Sequence, residues 1–168
     1  LVLGRAIERV DMTVRLLLSR VGDSASSPAW VSVLRAAGAH DTYLRTHRGV
    51  MDANRVVEFL LLDRLFPRSA FYSLKLAEQA LDELMKVPAD RAGAGAEARR
   101  LLGRARSELE FVRPGAVLES LEERLAGLQD VCRAVGEGLR VQYFRPNLWV
   151  EWSDAGHVGA VTVGEVDN

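Results

Sequence analysis

The chain has a single cysteine, Cys132. No intrachain disulfide and no multi-cysteine zinc site can be built from it, which suits a reducing compartment and makes the cytoplasm the expected location. Lysine is almost as scarce: Lys75 and Lys86 are the only two, so nearly all positive charge is arginine. A GC-rich genome accounts for that bias; arginine kept for phosphate or carboxylate recognition is the alternative. The formal net charge of −1 leaves no overall field to gather nucleic acid or an anionic membrane. No apolar run reaches the ~18 residues of a membrane span. No basic region followed by a cleavage site is present, so no signal peptide is read, although the chain opens on Leu1 and not on methionine. Histidine is limited to His40, His47 and His157. The first two lie two helical turns apart, about 10 Å, too far to hold one metal unaided. Glu-x-x-His pairs, phosphate-cradling GxxxxGK[ST] and GxGxxG loops and the GxSxG nucleophile elbow are all missing. No metal and no cofactor is expected.

What is present is helical periodicity. The 168 residues, 48% hydrophobic and 27% charged, suffice for one domain with a real core. In Leu1–Val21 the residues Leu3, Ile7, Val10, Val14, Leu17 and Val21 recur at steps of four and three and form one apolar stripe. Leu1 continues this pattern with no N-cap before it, as in a fragment of a longer protein. Ser27 and Pro28 start a second helix ending at Gly38. His40 to His47 forms a short third segment, and Asp52 caps a helix that is apolar nearly all round and so central. Pro67 restarts the chain for a helix carrying Phe71, Leu74, Ala77, Leu81 and Leu84. Pro88 to Gly95 reads as a flexible loop, and Ala98 to Val112 as the next helix. Gly115 to Tyr143 is the best patterned segment, with Leu118, Leu121, Leu125, Leu128, Cys132, Val135 and Leu139 in three-four alternation. Beyond Pro146 the composition turns β-rich around Trp149 and Trp152. The expected fold is all-α: an antiparallel bundle of five to seven helices over 1–145, with a short irregular or β-hairpin tail over 146–168.

Two groups of side chains are candidates for ligand binding. Glu8, Asp11 and Arg15, with Gly4, form a polar line bordering the apolar stripe of the first helix; Arg5 and Arg9 lie further round. Asp63, Arg68 and Ser69 frame the start of the helix after Pro67, where free backbone N–H groups and a partial positive charge favour an anion. Two roles stay open for the first group. In one, Glu8 pairs with an arginine of another helix, Arg68 first, and fixes how the first helix docks, with Gly4 allowing the close approach. In the other, the carboxylates of Glu8 and Asp11 act on a ligand or as acid and base. No catalytic residue is assigned.

LGRAIERVDMTVRLL, with Gly4, Arg5, Glu8, Arg9, Asp11 and Arg15, resembles the signature of the bacterial alpha-E domain, an all-helical domain with a Glu-Arg motif. FLLLDRLFPRSAFYSL, Phe59 to Leu74, resembles its second landmark, and Trp30 with VLRAAGAHDTY fits between them. The resemblance covers most of Leu1 to Phe144, leaves the tail outside, and implies the C-terminal half of a longer domain that holds a second Glu-Arg motif. It also implies association with ATP-grasp-type proteins and transglutaminase-like proteins, and a part in making or modifying a peptide. The expected function is a non-catalytic scaffold or peptide-binding surface for an ATP-grasp-type ligase. An enzyme using Glu8 and Asp11, or a helical regulatory or oligomerisation domain, is the alternative. Self-association is left open; nucleic-acid and membrane partners are not expected.

Overall fold

The computed structural model describes residues 1–20, 27–48, 51–86, 92–113 and 115–143. The tail expected over 146–168, with His157, and half of the expected Pro88–Gly95 loop, residues 88–91, lie outside these residues. Seven helices are present among them, and no strand: α1 Val2–Leu18, α2 Ser27–Ala36, α3 His40–His47, α4 Ala53–Leu62, α5 Ala70–Met85, α6 Ala92–Glu110 and α7 Leu121–Tyr143. The all-α expectation holds. No helix among the described residues is long and apolar enough to cross a membrane.

Four helices form the body. Helix α1 packs on α5, α5 on α6, α6 on α7, and α7 closes the ring on α1. Each sends one stripe inward: Leu3, Ala6, Val10, Val14 and Leu17 from α1, Leu74, Ala77 and Leu81 from α5, Leu102, Ala105 and Leu109 from α6, Leu125, Leu128, Cys132 and Val135 from α7. A fully buried Leu or Val in such a stripe contributes about 1.5–3 kcal/mol. The shorter α2, α3 and α4 cover one part of this body. Helix α4 buries Val56, Val57, Phe59, Leu60 and Leu61, as its all-round apolar pattern requires. Tyr43 of α3 stacks on His47 at 4.4 Å and meets the Phe59 ring edge-on at 5.4 Å. His47 is therefore a packed ring within an aromatic cluster.

Capping fixes several boundaries. Asp52 accepts the Arg55 backbone N–H at 2.9 Å and starts α4, as its sequence position predicts. The helix after Pro67 starts later than the proline suggests. Ser69 is the N-cap, its Oγ accepting from Tyr72 N at 3.0 Å, and Ala70 is the first helical residue. Helix α6 starts earlier, at Ala92, so much of the glycine-alanine stretch expected to be loop is helical. Alanine is the best helix former, and packing further along α6 outweighs the ~1 kcal/mol per glycine. Helix α7 starts six residues later than Gly115. Gly115 and Ser120 both have positive φ, 83° and 53°, which a continuing right-handed helix does not allow. Val117 is consequently buried, and Leu118 is 41% exposed, off the α7 stripe.

Candidate functional site

The stripe that buries Leu3, Ala6, Val10 and Leu17 forces the opposite side of α1 outward. Gly4, Arg5, Glu8 and Arg9 stand on that outer side, all exposed. A Cβ added at Gly4 would meet nothing within 4 Å, so the glycine is not the site of close helix packing that its place beside the motif suggests. Among the described residues, the side chains of Arg5, Glu8 and Arg9 make no hydrogen bond and no ion pair; the Arg5 backbone N–H donates to the Leu1 carbonyl at 3.2 Å. Asp11, one turn along and half-buried, is held by its own helix: Arg15 Nε donates to its Oδ2 at 2.6 Å. An acid-to-base pair of that spacing supports a helix by only a few tenths of a kcal/mol.

Between α1 and α7 these residues line a shallow open groove of about 320 Å³. Ile7, Glu8, Asp11 and Arg15 form one wall; Gln129, Cys132 and Arg133 form the other. Cys132 Sγ lies 3.9 Å from the Ile7 carbonyl oxygen and donates to it. Burial, and then the Asp11 charge, push this thiol up to about 12. A thiol so protonated is a packing group and not a nucleophile. Arg133 reaches Asp130 of its own helix at 3.3 Å, with both side chains well exposed, so the guanidinium is lightly held. The groove thus offers an unpaired carboxylate (Glu8), an exposed guanidinium (Arg133) and an amide (Gln129). That set can grip a polar ligand of either sign, and it contains no activated nucleophile.

Asp63, Arg68 and Ser69 belong to a different part of the molecule and are occupied there. Asp63 Oδ1 accepts the backbone N–H of Leu65 at 2.8 Å and of Phe66 at 2.7 Å, closing the turn after α4. Ser69, fully buried, donates its hydroxyl to the Asp63 carbonyl and caps α5 with the same oxygen. The expected anion site at this helix start is therefore filled by the chain's own serine. Arg68 does not reach Glu8. Its Nη1 donates to the carbonyls of Ala37, at 3.4 Å, and Gly38, at 3.3 Å. These follow α2, where Gly38 takes φ +61° and Ala39 N bonds back to Leu34 O at 2.8 Å, a Schellman ending whose carbonyl oxygens face Arg68. The Glu8–Arg68 pair expected from the sequence is replaced by this closure.

Of the sequence candidates, then, the structure gathers Glu8, Asp11 and Arg15 at one groove. It leaves Arg5 and Arg9 on the adjoining face and places Asp63, Arg68 and Ser69 in a loop closure. Gln129 and Arg133 were missed. Their only signal was position, since they sit beside Cys132 at the polar edge of the α7 stripe. Among the described residues no three His, Cys, Asp or Glu side chains gather closely enough to hold a metal ion.

No curated protein and no solved structure matches the chain. A family model does, over residues 1–144: Alpha-E, described as a predicted alpha-helical domain with a conserved ER motif. Glu8-Arg9, on the outer face of α1, is a Glu-Arg pair of that kind, in a chain whose regular secondary structure among the described residues is helical. By this match the chain belongs to the Alpha-E family.

Proposed function

We propose that the chain is a non-catalytic helical module that works with an ATP-grasp-type ligase in making or modifying a peptide. The α1–α7 groove and the adjoining Glu-Arg face form its docking surface. The observation that carries this reading is that Glu8, with Arg5 and Arg9 beside it, is exposed and unpaired at the lip of a groove. Charges arranged this way contribute little to the fold and are available to something outside it. Acid-base catalysis by Glu8 and Asp11 is the weaker reading, because Arg15 holds Asp11 and the neighbouring thiol stays protonated. A transglutaminase-like protein is a second partner of the same proposal.

The test is direct binding. The chain is run by size exclusion with the ATP-grasp-type protein of the same cell, and short labelled peptides are titrated by fluorescence anisotropy. Co-elution or peptide binding that weakens about tenfold or more in Glu8→Ala/Arg133→Ala is expected, the loss of contacts to charged groups. No co-elution together with no peptide binding would overturn the proposal.

A further inference from the structure

A second pocket, of about 210 Å³, opens where α3, α4 and the chain just after α6 meet, and it shares no lining residue with the α1–α7 groove. Phe59, Leu62 and Val112 are its apolar walls; His47, Glu58 and Asp63 are its polar ones. What the polar side chains leave unused are acceptors. Glu58 takes the Gly115 backbone N–H at 2.7 Å and the Asn54 side-chain amide at 3.3 Å on one oxygen, Oε1, and its Oε2 has no partner among the described residues. Asp63 spends Oδ1 on the N–H groups of Leu65 and Phe66 and leaves Oδ2 unpartnered there. In the tautomer whose Nδ1 donates to the Tyr43 carbonyl, 3.3 Å away, the His47 Nε2 is an acceptor as well. Among the described residues no arginine or lysine lines the pocket to meet these groups. Arg64 is drawn off to Glu110 at 3.3 Å and lies over the Phe71 ring. Beside the pocket the surface is apolar: Leu65 is 87% exposed and Phe111 is 81% exposed. The Arg64–Glu110 pair ties together the residues just before them, and Asp63 and Val112 of the same two segments line the pocket. A leucine and a phenylalanine so far out of the core add little to the fold of this chain, and apolar groups gathered beside a cleft mark a contact surface.

We infer that this pocket receives an arginine side chain from a partner polypeptide, with Leu65 and Phe111 covered by apolar residues next to that arginine. The pocket is smaller than the ~300 Å³ at which sites for whole small molecules begin, and suits one long side chain. Arginine fits it along its whole length. Its aliphatic stem lies against Phe59, Leu62 and Val112, and its guanidinium brings five donors to the oxygens that Glu58 and Asp63 have left over. Lysine brings a strongly hydrated point charge in no fixed plane and is the weaker occupant. A small free cation would fill the pocket and leave Leu65 and Phe111 in water, so the occupant is a segment of chain. Nucleic acid and anionic membrane are turned away by the same carboxylates. Arginine and aromatic residues are also the ones enriched where proteins meet. This inference does not depend on what the α1–α7 groove binds.

Short end-blocked fluorescent peptides, each with a central arginine between leucine, phenylalanine or tryptophan residues, are titrated with the whole chain and read by anisotropy. Binding with a Kd at or below about 1 mM is expected. Glutamine in place of the peptide arginine should weaken it about tenfold or more. Asp63→Asn with Glu58→Gln keeps oxygens for the backbone N–H groups and removes both charges, and should weaken binding by a similar factor. The peptide-side comparison holds whether or not that variant folds. Leu65→Ser with Phe111→Ser should weaken binding about threefold or more and leave the urea midpoint unchanged, since both side chains are exposed. Glu8→Ala/Arg133→Ala should bind these peptides like wild type, which separates this pocket from the α1–α7 groove. Four outcomes would each overturn the inference: no binding by any peptide, equal binding of the glutamine peptides, N-acetyl-arginine amide bound as tightly as the peptides, or a loss confined to Glu8→Ala/Arg133→Ala.

Discussion

Along the α5–α6 seam, Glu78 takes Arg106 at 2.9 Å and Arg99 at 3.5 Å, and Asp82 takes Arg99 at 2.5 Å. Arg106 continues to Glu110 at 2.8 Å, and Glu110 to Arg64 at 3.3 Å. On the outer face of α1, Arg5 and Glu8 stand one turn apart with opposite signs, yet their side chains form no pair, and the Arg9 side chain is unpaired beside them. The difference follows from solvent. The Glu78 side chain is 15% exposed and that of Arg106 is 27% exposed. A charge so withdrawn from water destabilises the fold unless it is paired, so the seam must be complementary, and its pairing sets α5 against α6. The residues on α1 are hydrated whether or not they pair, so selection on stability has no hold over them. Under the proposed function, these hydrated charges are the ones kept for a partner.

This contrast can be broken first at the seam. Glu78→Ala leaves Arg106 and Arg99 facing each other without their shared carboxylate. It should lower unfolding stability by about 1–3 kcal/mol in urea titrations. A loss below about 0.5 kcal/mol would mean that the seam charges are as dispensable as surface ones.

Gly38 and Arg68 give the next effect. Alanine at position 38 meets a φ of +61°, and its Cβ would lie 1.8 Å from Arg68 Nη1. Gly38→Ala should cost about 1 kcal/mol or more from backbone strain. In a double-mutant cycle Arg68→Ala should relieve the collision but not the strain. Full additivity would mean that Arg68 does not close the end of α2.

A third effect lies at the groove floor. The Cys132 thiol is raised from 9.0 to about 12, so the folded state keeps its proton where the unfolded state loses it. The resulting stability is complete below the ordinary thiol value and is lost as pH rises from 9.0 toward about 12. Between about pH 8 and about pH 10 the wild type should lose about 1 kcal/mol more than Cys132→Ala does. Parallel pH profiles would mean that the thiol is more exposed than the groove geometry places it.

The seven helices were legible because each buries one stripe at period 3.6, and His40–His47 is found with the bounds its sequence shows. Ends were legible where a side chain does the capping, as at Asp52. They were misread where backbone conformation decides: the left-handed Ser120 that delays α7 carries no side-chain signature, and proline at 67 drew attention from the true cap at Ser69. Glu8, Asp11 and Arg15 could be placed on one side of α1 from spacing alone. What they face could not, because Gln129 and Arg133 lie more than 110 residues away in the chain and follow from the order of helices around the ring. The same reason hid the α2 carbonyls from Arg68. Spacing says which residues share a helix face, and only the packing of helices says which faces meet.

The smallest expected change is the most informative. A charge that fixes how α1 docks and a charge held out for a partner differ in what truncation does to the isolated chain. Glu8→Ala, compared with wild type by urea denaturation at one pH and low protein concentration, should leave the midpoint within about 0.5 kcal/mol of unfolding stability, as for an exposed residue without partners. A loss of about 3 kcal/mol or more, the cost of breaking a buried ion pair, would contradict the account and return Glu8 to the structural frame of the fold.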